Sequence, residues 1–250
     1  MEAAEAENTA ALAQALSASQ PDAVFEPFAG GMAIFAGAGS PMTHAVGIGI
    51  QRPVPEAELE RMEAFFRDRN SACLIDLCPL ADASVIAFVQ SRPYRVIEFN
   101  NLLARRIHAE EEIFTDEHVR PVRADEVDQF SRLILSGFSD SMPFSEEMVQ
   151  TMSATLGPSR AWIARDIEPE AGGAMGTQNG VALFYGDATL PVARRKGWHL
   201  KLIQTRLLAA QREGCDLAIA SVLPGSASHR NYERAGFQLI YMRVNLIREF

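Results

Sequence analysis

The stretch from Val181 to Arg212 constrains the fold of this chain more than any other. Val181–Leu190 is an apolar run of strand character. A basic, glycine-bearing connection follows, Thr189-Leu190-Pro191-Val192-Ala193-Arg194-Arg195-Lys196-Gly197-Trp198-His199. From Gly197 to Arg212, Leu200, Ile203, Leu207 and Ala210 then recur at the spacing of one helix face. A strand passing into a helix through such a connection builds an anion site. The first N–H groups of a helix have no internal acceptor, the helix dipole adds positive potential there, and a pyrophosphate can accept from several of those groups at once. Gly197 lets backbone approach a ligand without a Cβ in the way. Arg194, Arg195 and Lys196 add charge.

The rest of the chain reads as alternating short strands and helices. Residues 1–20 predict a helix, and Met32–Ala36 and Ala45–Ile50 short strands among glycine turns. Pro55–Arg69 predicts a helix with Leu59, Met62, Phe65 and Phe66 on one stripe. Ala72–Cys78 predicts a buried strand, Ala81–Ser91 a helix begun by Asp82, and Tyr94–Phe99 a strand. His108–His118, with Glu110, Glu111 and Glu112, reads as a solvated connection. Beyond it come strands at Val119–Val122, Ala161–Asp166, Ala171–Gly176, Leu217–Leu223 and Phe237–Leu246, with a turn at Glu168–Glu170. Helices are expected at Ala124–Gly137, after Ser145, and at Ser226–Ala235, stopping at Gly236. Each half thus carries strand, helix, strand, short helix and strand. Pro79 and Pro224 both end the second strand of the series, 145 residues apart, and Tyr94 and Phe237 follow at a separation of 143. One two-residue indel makes this a divergent tandem repeat; the alternative is two ordinary α/β units of similar element order.

Charge separates the halves. Residues 1–115 hold 16 Asp/Glu against 8 Arg and no Lys, a net −8, whereas residues 116–250 hold 16 against 15 Lys/Arg, a net −1. Four of those cations lie between Arg194 and Lys201. An acidic chain is a poor general nucleic-acid binder, and a local basic cluster in a near-neutral half suits a small anionic ligand. No apolar run approaches the ~18 residues of a membrane span. The opening Met1–Asn8 carries three glutamates and no cation, unlike a secretory leader. A cytoplasmic protein with neither membrane nor nucleic-acid partners is expected. Cys73, Cys78 and Cys215 read as buried free thiols. His44, His108, His118 and His229 show no metal-ligand spacing, so no metal is expected.

The Arg194–His199 loop resembles the Q/R-x-x-G-x-G/A pyrophosphate loop of the GNAT superfamily of N-acetyltransferases. Arg194 stands at its first position and Gly197 at its central glycine; His199 replaces the final Gly or Ala. Asn231-Tyr232-Glu233-Arg234-Ala235-Gly236-Phe237 resembles the family's Tyr-x-x-x-Gly-Phe signature on the following short helix. The resemblance covers residues 118 to 250. The first half keeps an eroded signature at Arg92-Pro93-Tyr94. It has Glu56, Glu58 and Glu60 where a phosphate loop would lead into its helix, and those carboxylates repel phosphate.

The resemblance implies a mixed α/β sheet of the GNAT fold in tandem. Residues 1–115 would be a degenerate unit without a CoA loop, and 116–250 the acetyl-CoA-binding catalytic unit. It implies an N-acetyltransferase that passes an acetyl group from acetyl-CoA to a primary amine by direct attack in a ternary complex. Cofactor contacts would come from Asp187, Ala188, Thr189, Leu190, Arg194, Arg195, Lys196, Gly197, Trp198, His199, Leu200 and Asn231, with Tyr232 as general acid. Asn231 has an equal alternative as a local cap, Trp198 as sheet packing, and His199 as a phosphate or surface contact. No residue declares itself as base: Asp187, Tyr185 and Glu147 are positional candidates beside a water chain. The acceptor is a small-molecule or peptide amine, and the acidic first half leans toward a cationic one. A monomer is favoured over a homodimer, because a tandem pair satisfies internally what dimers otherwise supply. The competing reading is a CoA-binding or structural module without catalysis.

Overall fold

The protein is described by a computed structural model covering residues 1–40, 42–138, 144–156, 159–165 and 167–250. Its contacts divide it into two compact units, one of Met1–Leu102 with Tyr241–Phe250 and one of Leu103–Ile240. Among the described residues no helix is long and apolar enough to cross a membrane.

The first unit begins with α1 (Glu2–Ser17), then β1 (Val24–Phe28), β2 (Gly31–Phe35) and β3 (His44–Val46). It continues with α2 (Glu56–Arg67), β4 (Cys73–Leu77), α3 (Ala83–Gln90) and the start of β5 (Arg95–Arg106). The last strand of the chain, β11 (Gln238–Arg248), returns to lie beside β4, with Val244 opposite Leu77 and Arg248 opposite Cys73. β3 and β4 are parallel, Ala45 facing Ile75, because α2 carries the chain back across the sheet between them. The apolar stripe of α2 is its buried face: Leu59, Met62, Phe65 and Phe66 pack with Phe28, Ile75 and Val85. Asp82 caps α3 by accepting from the Ser84 N–H. β1 has no counterpart among the expected strands, since Pro27 interrupts the alternation that marks one. It sits at the sheet edge, where a missing N–H is tolerated.

The second unit runs from the end of β5 through β6 (Val119–Pro121), α4 (Val127–Phe138), α5 (Glu146–Thr155) and β7 (Arg160–Arg165). Next come β8 (Pro169–Gln178), β9 (Val181–Thr189), α6 (Trp198–Arg212), β10 (Leu217–Val222) and α7 (Ala227–Arg234). Its sheet is ordered β5-β10-β9-β8-β7-β6. β6 to β9 are antiparallel neighbours, and α6 makes β9 and β10 parallel. The core holds Trp162, Phe184, Leu202, Leu207, Tyr232 and Phe237.

Four expectations shift. The strand expected at Ala45–Ile50 stops at Val46, because Gly47 and Gly49 take the left-handed region at φ 73° and 71°. The strand expected at Tyr94–Phe99 continues to Arg106, because Leu102, Leu103 and Ala104 are buried. Glu168–Glu170 is not all turn: β8 starts at Pro169, paired to Arg165 across a bulge. The contacts divide the chain at 102/103 and 240/241, whereas the polar stretch suggests 115/116. That stretch packs within the second unit: Arg105 pairs with Glu111, and the Gln211 amide donates to the His108 and Glu111 carbonyls. Asp166, expected as a strand end, lies outside the described residues.

Candidate active site

The β9–β10 register runs from Leu217 opposite Val181 to Ala220 opposite Phe184. β9 then continues for five residues paired with β8 alone. At that point it carries a bulge: Gly172 faces Ala188 and Ala174 faces Tyr185, so Gly186 and Asp187 together oppose Gly173. Gly186, at φ 64°, supplies the left-handed residue such a bulge uses. Small residues make room around it. A Cβ on Gly173 would lie 2.6 Å from Asp187 Oδ1, and one on Gly137 of α4 would lie 2.6 Å from the Ala188 Cβ. The parting of two parallel strands at their carboxyl ends is where α/β sheets take ligands.

The connection from β9 to α6 makes a short 3-10 turn at Pro191–Ala193. It then passes through two residues in the left-handed region, Arg195 at φ 71° and Gly197 at φ 84°. Arg195 is not glycine, so the loop holds local strain. The first bond of α6 is Lys201 N–H to Gly197 O, 3.2 Å; the N–H groups of Trp198, His199 and Leu200 precede any intrahelical acceptor. A Cβ at Gly197 would meet nothing within 4 Å. A cleft of about 670 Å³ opens there. Its walls come from Asp187–Thr189, Arg194, Arg195 and Gly197–His199 on one side, Ser228, Arg230, Asn231 and Arg234 of α7 on another, and Phe138 of α4.

Beneath the cleft lies a buried polar cluster centred on Asp187. Arg206, fully buried on α6, donates Nη2 to Asp187 Oδ1, Nη1 to the Ala174 carbonyl (2.9 Å) and Nε to the Leu202 carbonyl (3.2 Å). The Tyr232 hydroxyl donates to Asp187 Oδ2 at 2.5 Å. His199 Nε2 lies 3.4 Å from the same oxygen. Burial alone pushes the Asp187 pKa up, but the Arg206 guanidinium and then His199 outweigh it and hold the carboxyl at about 2. Burial first, and the Asp187 charge second, push the Tyr232 phenol well above its ordinary 10. Both groups keep their ordinary protonation at neutral pH: Asp187 ionised, Tyr232 neutral.

The structure thus brings together Asp187, Ala188, Thr189, Arg194, Arg195, Gly197, Trp198, His199 and Asn231. Tyr232, Leu190, Lys196 and Leu200 do not line the cleft. Tyr232 is 1% exposed and its hydroxyl is committed to Asp187. The Lys196 Nζ is drawn to Glu170 Oε1, 2.6 Å, and Trp198, though its edge reaches the cleft, is buried with Nε1 donating to Glu170 Oε2. Tyr185 is engaged with the Ser159 hydroxyl, 2.7 Å. Asn231 bonds His199 and Arg234 rather than capping its helix; Ser226 is the cap. Arg206 is absent from the sequence-derived site although its signal is present: a cation three residues after Ile203 sits on the buried stripe of α6 and needs a buried anion. Arg230 and Arg234 repeat at the i, i+4 spacing on one face of α7 and are equally legible.

No family model and no curated protein matches the sequence. Solved structures do. A GCN5-related N-acetyltransferase from Kribbella flavida superposes with a TM-score of 0.66 at 17% identity, covering 97% of this chain and 96% of that one. A tandem GNAT protein from the clavulanic acid biosynthesis pathway gives 0.61 at 12% identity, covering 100% and 97%. A GCN5-related N-acetyltransferase from Sphaerobacter thermophilus gives 0.59 at 14%, covering 82% and 71%. The fold of this chain is therefore the GNAT fold, in the tandem form that the repeat in its sequence implies.

Proposed function

We propose that this tandem GNAT chain is an N-acetyltransferase that binds acetyl-CoA in the cleft of its second unit and acetylates a primary amine. The observation that carries the reading is the parting of β9 and β10 beside a basic, left-handed loop and the first turn of α6. The open space over Gly197 and the free N–H groups behind it suit a pyrophosphate. Arg194, Arg195, Arg230 and Arg234 supply countercharge. The edge of β9 from Tyr185 to Thr189, which no strand among the described residues pairs on the β10 side, suits an extended amide-bearing arm. His199 does not crowd the loop, because its ring turns inward toward Asn231 and Asp187.

Acetyl-CoA, when bound, supplies the activated acyl thioester. Asp187, held ionised at the cleft wall, attracts a cationic amine and offsets the positive charge that grows on nitrogen during attack. The backbone N–H of Thr189 is the candidate donor to the oxyanion; that of Leu190 is committed to the Glu170 carbonyl, 2.9 Å away. A cationic amine would lose one proton to solvent before attack. Tyr232 holds a proton at Oη that it would give to the leaving sulfur after its hydroxyl turns from Asp187. The second proton, shed by the attacking nitrogen, would return through water to the Tyr232 oxygen, with Arg206 steadying the transient phenolate, so that the enzyme neither gains nor loses a proton overall. The test is release of free thiol from acetyl-CoA in the presence of an amine panel (polyamines, amino acids, aminoglycosides, peptide N-termini). The Tyr232→Phe variant should lose roughly 10²-fold or more in kcat while still binding acetyl-CoA. The second reading, a CoA-binding module without catalysis, is favoured by the Tyr232–Asp187 bond, which takes the hydroxyl off the cleft. It wins if acetyl-CoA binds and no amine is acetylated.

A further inference from the structure

The Tyr232 hydroxyl cannot turn toward a leaving sulfur without cost. It gives Asp187 Oδ2 a hydrogen bond of 2.5 Å in a buried site, and a carboxylate that loses such a donor without replacement is penalised. The same oxygen has a second neighbour. His199 Nε2 stands 3.4 Å away, is shielded from solvent and has no hydrogen-bond partner among the described residues. The rings of His199 and Tyr232 pack edge to face at 5.4 Å, so both side chains address one oxygen from adjacent positions.

Which His199 nitrogen carries the proton follows from its other neighbours. Arg234 Nη1 donates to Asn231 Oδ1 at 2.9 Å. A guanidinium can only donate, so the amide oxygen of Asn231 faces Arg234 and its NH₂ faces His199. Asn231 Nδ2 lies 3.1 Å from His199 Nδ1, which must therefore accept. In the neutral ring the proton is then on Nε2, the nitrogen turned toward Asp187. Arg234 and Asn231 together hold a spare donor in readiness beside the carboxylate.

We propose that His199 is a positioning residue that replaces Tyr232 as donor to Asp187, freeing the Tyr232 hydroxyl for the leaving sulfur. The inference rests on the acetyltransferase reading for its purpose, but its geometry stands apart from activity. It also gives a reason for a histidine where the resemblance has glycine or alanine: the small residue carries no donor to exchange.

The test has one arm without turnover and one with it. In the full-length protein labelled with ¹⁵N-histidine, His199 should show a protonated Nε2 and an unprotonated Nδ1. Removing the competing hydroxyl with Tyr232→Phe should move the His199 Hε2 resonance downfield as Nε2–H closes on Asp187, with no cofactor added. Saturating the wild type with coenzyme A should shift it in the same direction. A proton on Nδ1, or an Hε2 unmoved in Tyr232→Phe, overturns the proposal whether or not the protein is an enzyme. With turnover, His199→Leu should lower kcat roughly tenfold, the worth of one hydrogen bond, with KM for acetyl-CoA within about twofold. His199→Gln, which keeps an amide donor at similar reach, should recover most of that loss. In the Tyr232→Phe background His199→Leu should cost nothing more, since His199 acts only through the hydroxyl. Full multiplication of the two effects, or a kcat unchanged in His199→Leu, overturns it. Absence of wild-type turnover with the expected ¹⁵N pattern would remove the acetyltransferase reading and leave the donor exchange standing.

Discussion

Replacing Asp187 by asparagine removes one charge and no volume, and leaves Arg206 fully buried among neutral groups: the Ala174 and Leu202 carbonyls, the Phe184 ring 4.7 Å away and the new amide. Breaking a buried ion pair from one side costs about 3–5 kcal/mol, because the remaining charge has lost its partner and cannot reach water. For a chain of this length about 1 kcal/mol moves Tm by roughly 2–4 °C, so a fall of roughly 6–20 °C is expected. Differential scanning calorimetry or a CD melt at neutral pH reads it. The pH dependence gives a second check. The folded carboxyl, at about 2, lies below the ordinary value of 3.8. Its stabilisation is therefore complete above pH ~4 and lost as pH falls toward ~2, a contribution of about 2 kcal/mol from the shift. The gap between wild type and Asp187→Asn should narrow over that window. Pairing Asp187→Leu with Arg206→Met removes both charges, and should recover most of the stability. A Tm within about 2 °C of wild type for Asp187→Asn, less than a single kcal/mol would produce, would refute the argument that Asp187 and Arg206 form one electrostatic unit. So would a double variant as unstable as the two losses added.

Gly173→Ala forces a Cβ to within 2.6 Å of Asp187 Oδ1 and 2.9 Å of the Arg206 guanidinium carbon. An overpacking cost of about 1–3 kcal/mol is expected in urea titration. Gly197→Ala meets open space, so only its φ of 84° is at stake; a loss of about 1–2 kcal/mol by the same measurement is expected. Arg230→Ala and Arg234→Ala should each weaken acetyl-CoA binding in a manner that fades as salt rises, read by titration at two ionic strengths. Thermal melts of Tyr232→Phe should show a loss of only about 1 kcal/mol or less, since His199 replaces the donor that Asp187 gives up, and a loss of roughly 1–3 kcal/mol once His199→Leu is added to it.

The strand–loop–helix from Val181 to Arg212 is legible because each part obeys a local rule: apolar run, glycine with cations, then 3.6-residue periodicity. The tandem arrangement is legible for a similar reason, through the recurring proline and aromatic positions at Pro79/Pro224 and Tyr94/Phe237. The full length of β5 is not, because Arg95, Glu98 and the two asparagines Asn100 and Asn101 mask a strand whose burial begins only near Leu102. The loop residues of the cleft stand out by type and spacing, yet Lys196 faces Glu170 instead of the cleft, a pairing that depends on where β8 begins. Least legible is the orientation of Tyr232. A tyrosine before Gly-Phe reads as a group facing the ligand, but the bulge at Gly186 turns Asp187 toward it, and a neighbouring carboxylate outcompetes an open cleft for the hydroxyl proton. Bulges arise from pairing between β8 and β9, which no local pattern in either strand records. The inward turn of His199 is hidden for the same reason: its partners, Asp187 and Asn231, lie 12 and 32 residues away.

Isothermal titration of the full-length protein with acetyl-CoA, beside a Gly197→Glu variant shown by its melt to be folded, decides whether the cleft is a cofactor site. Saturable micromolar binding by the wild type is expected. The variant should lose it, because the substitution sets a carboxylate and a strained backbone where the pyrophosphate is expected. No heat from the wild type, or equal binding by both proteins, would contradict the assignment of this cleft as an acetyl-CoA site.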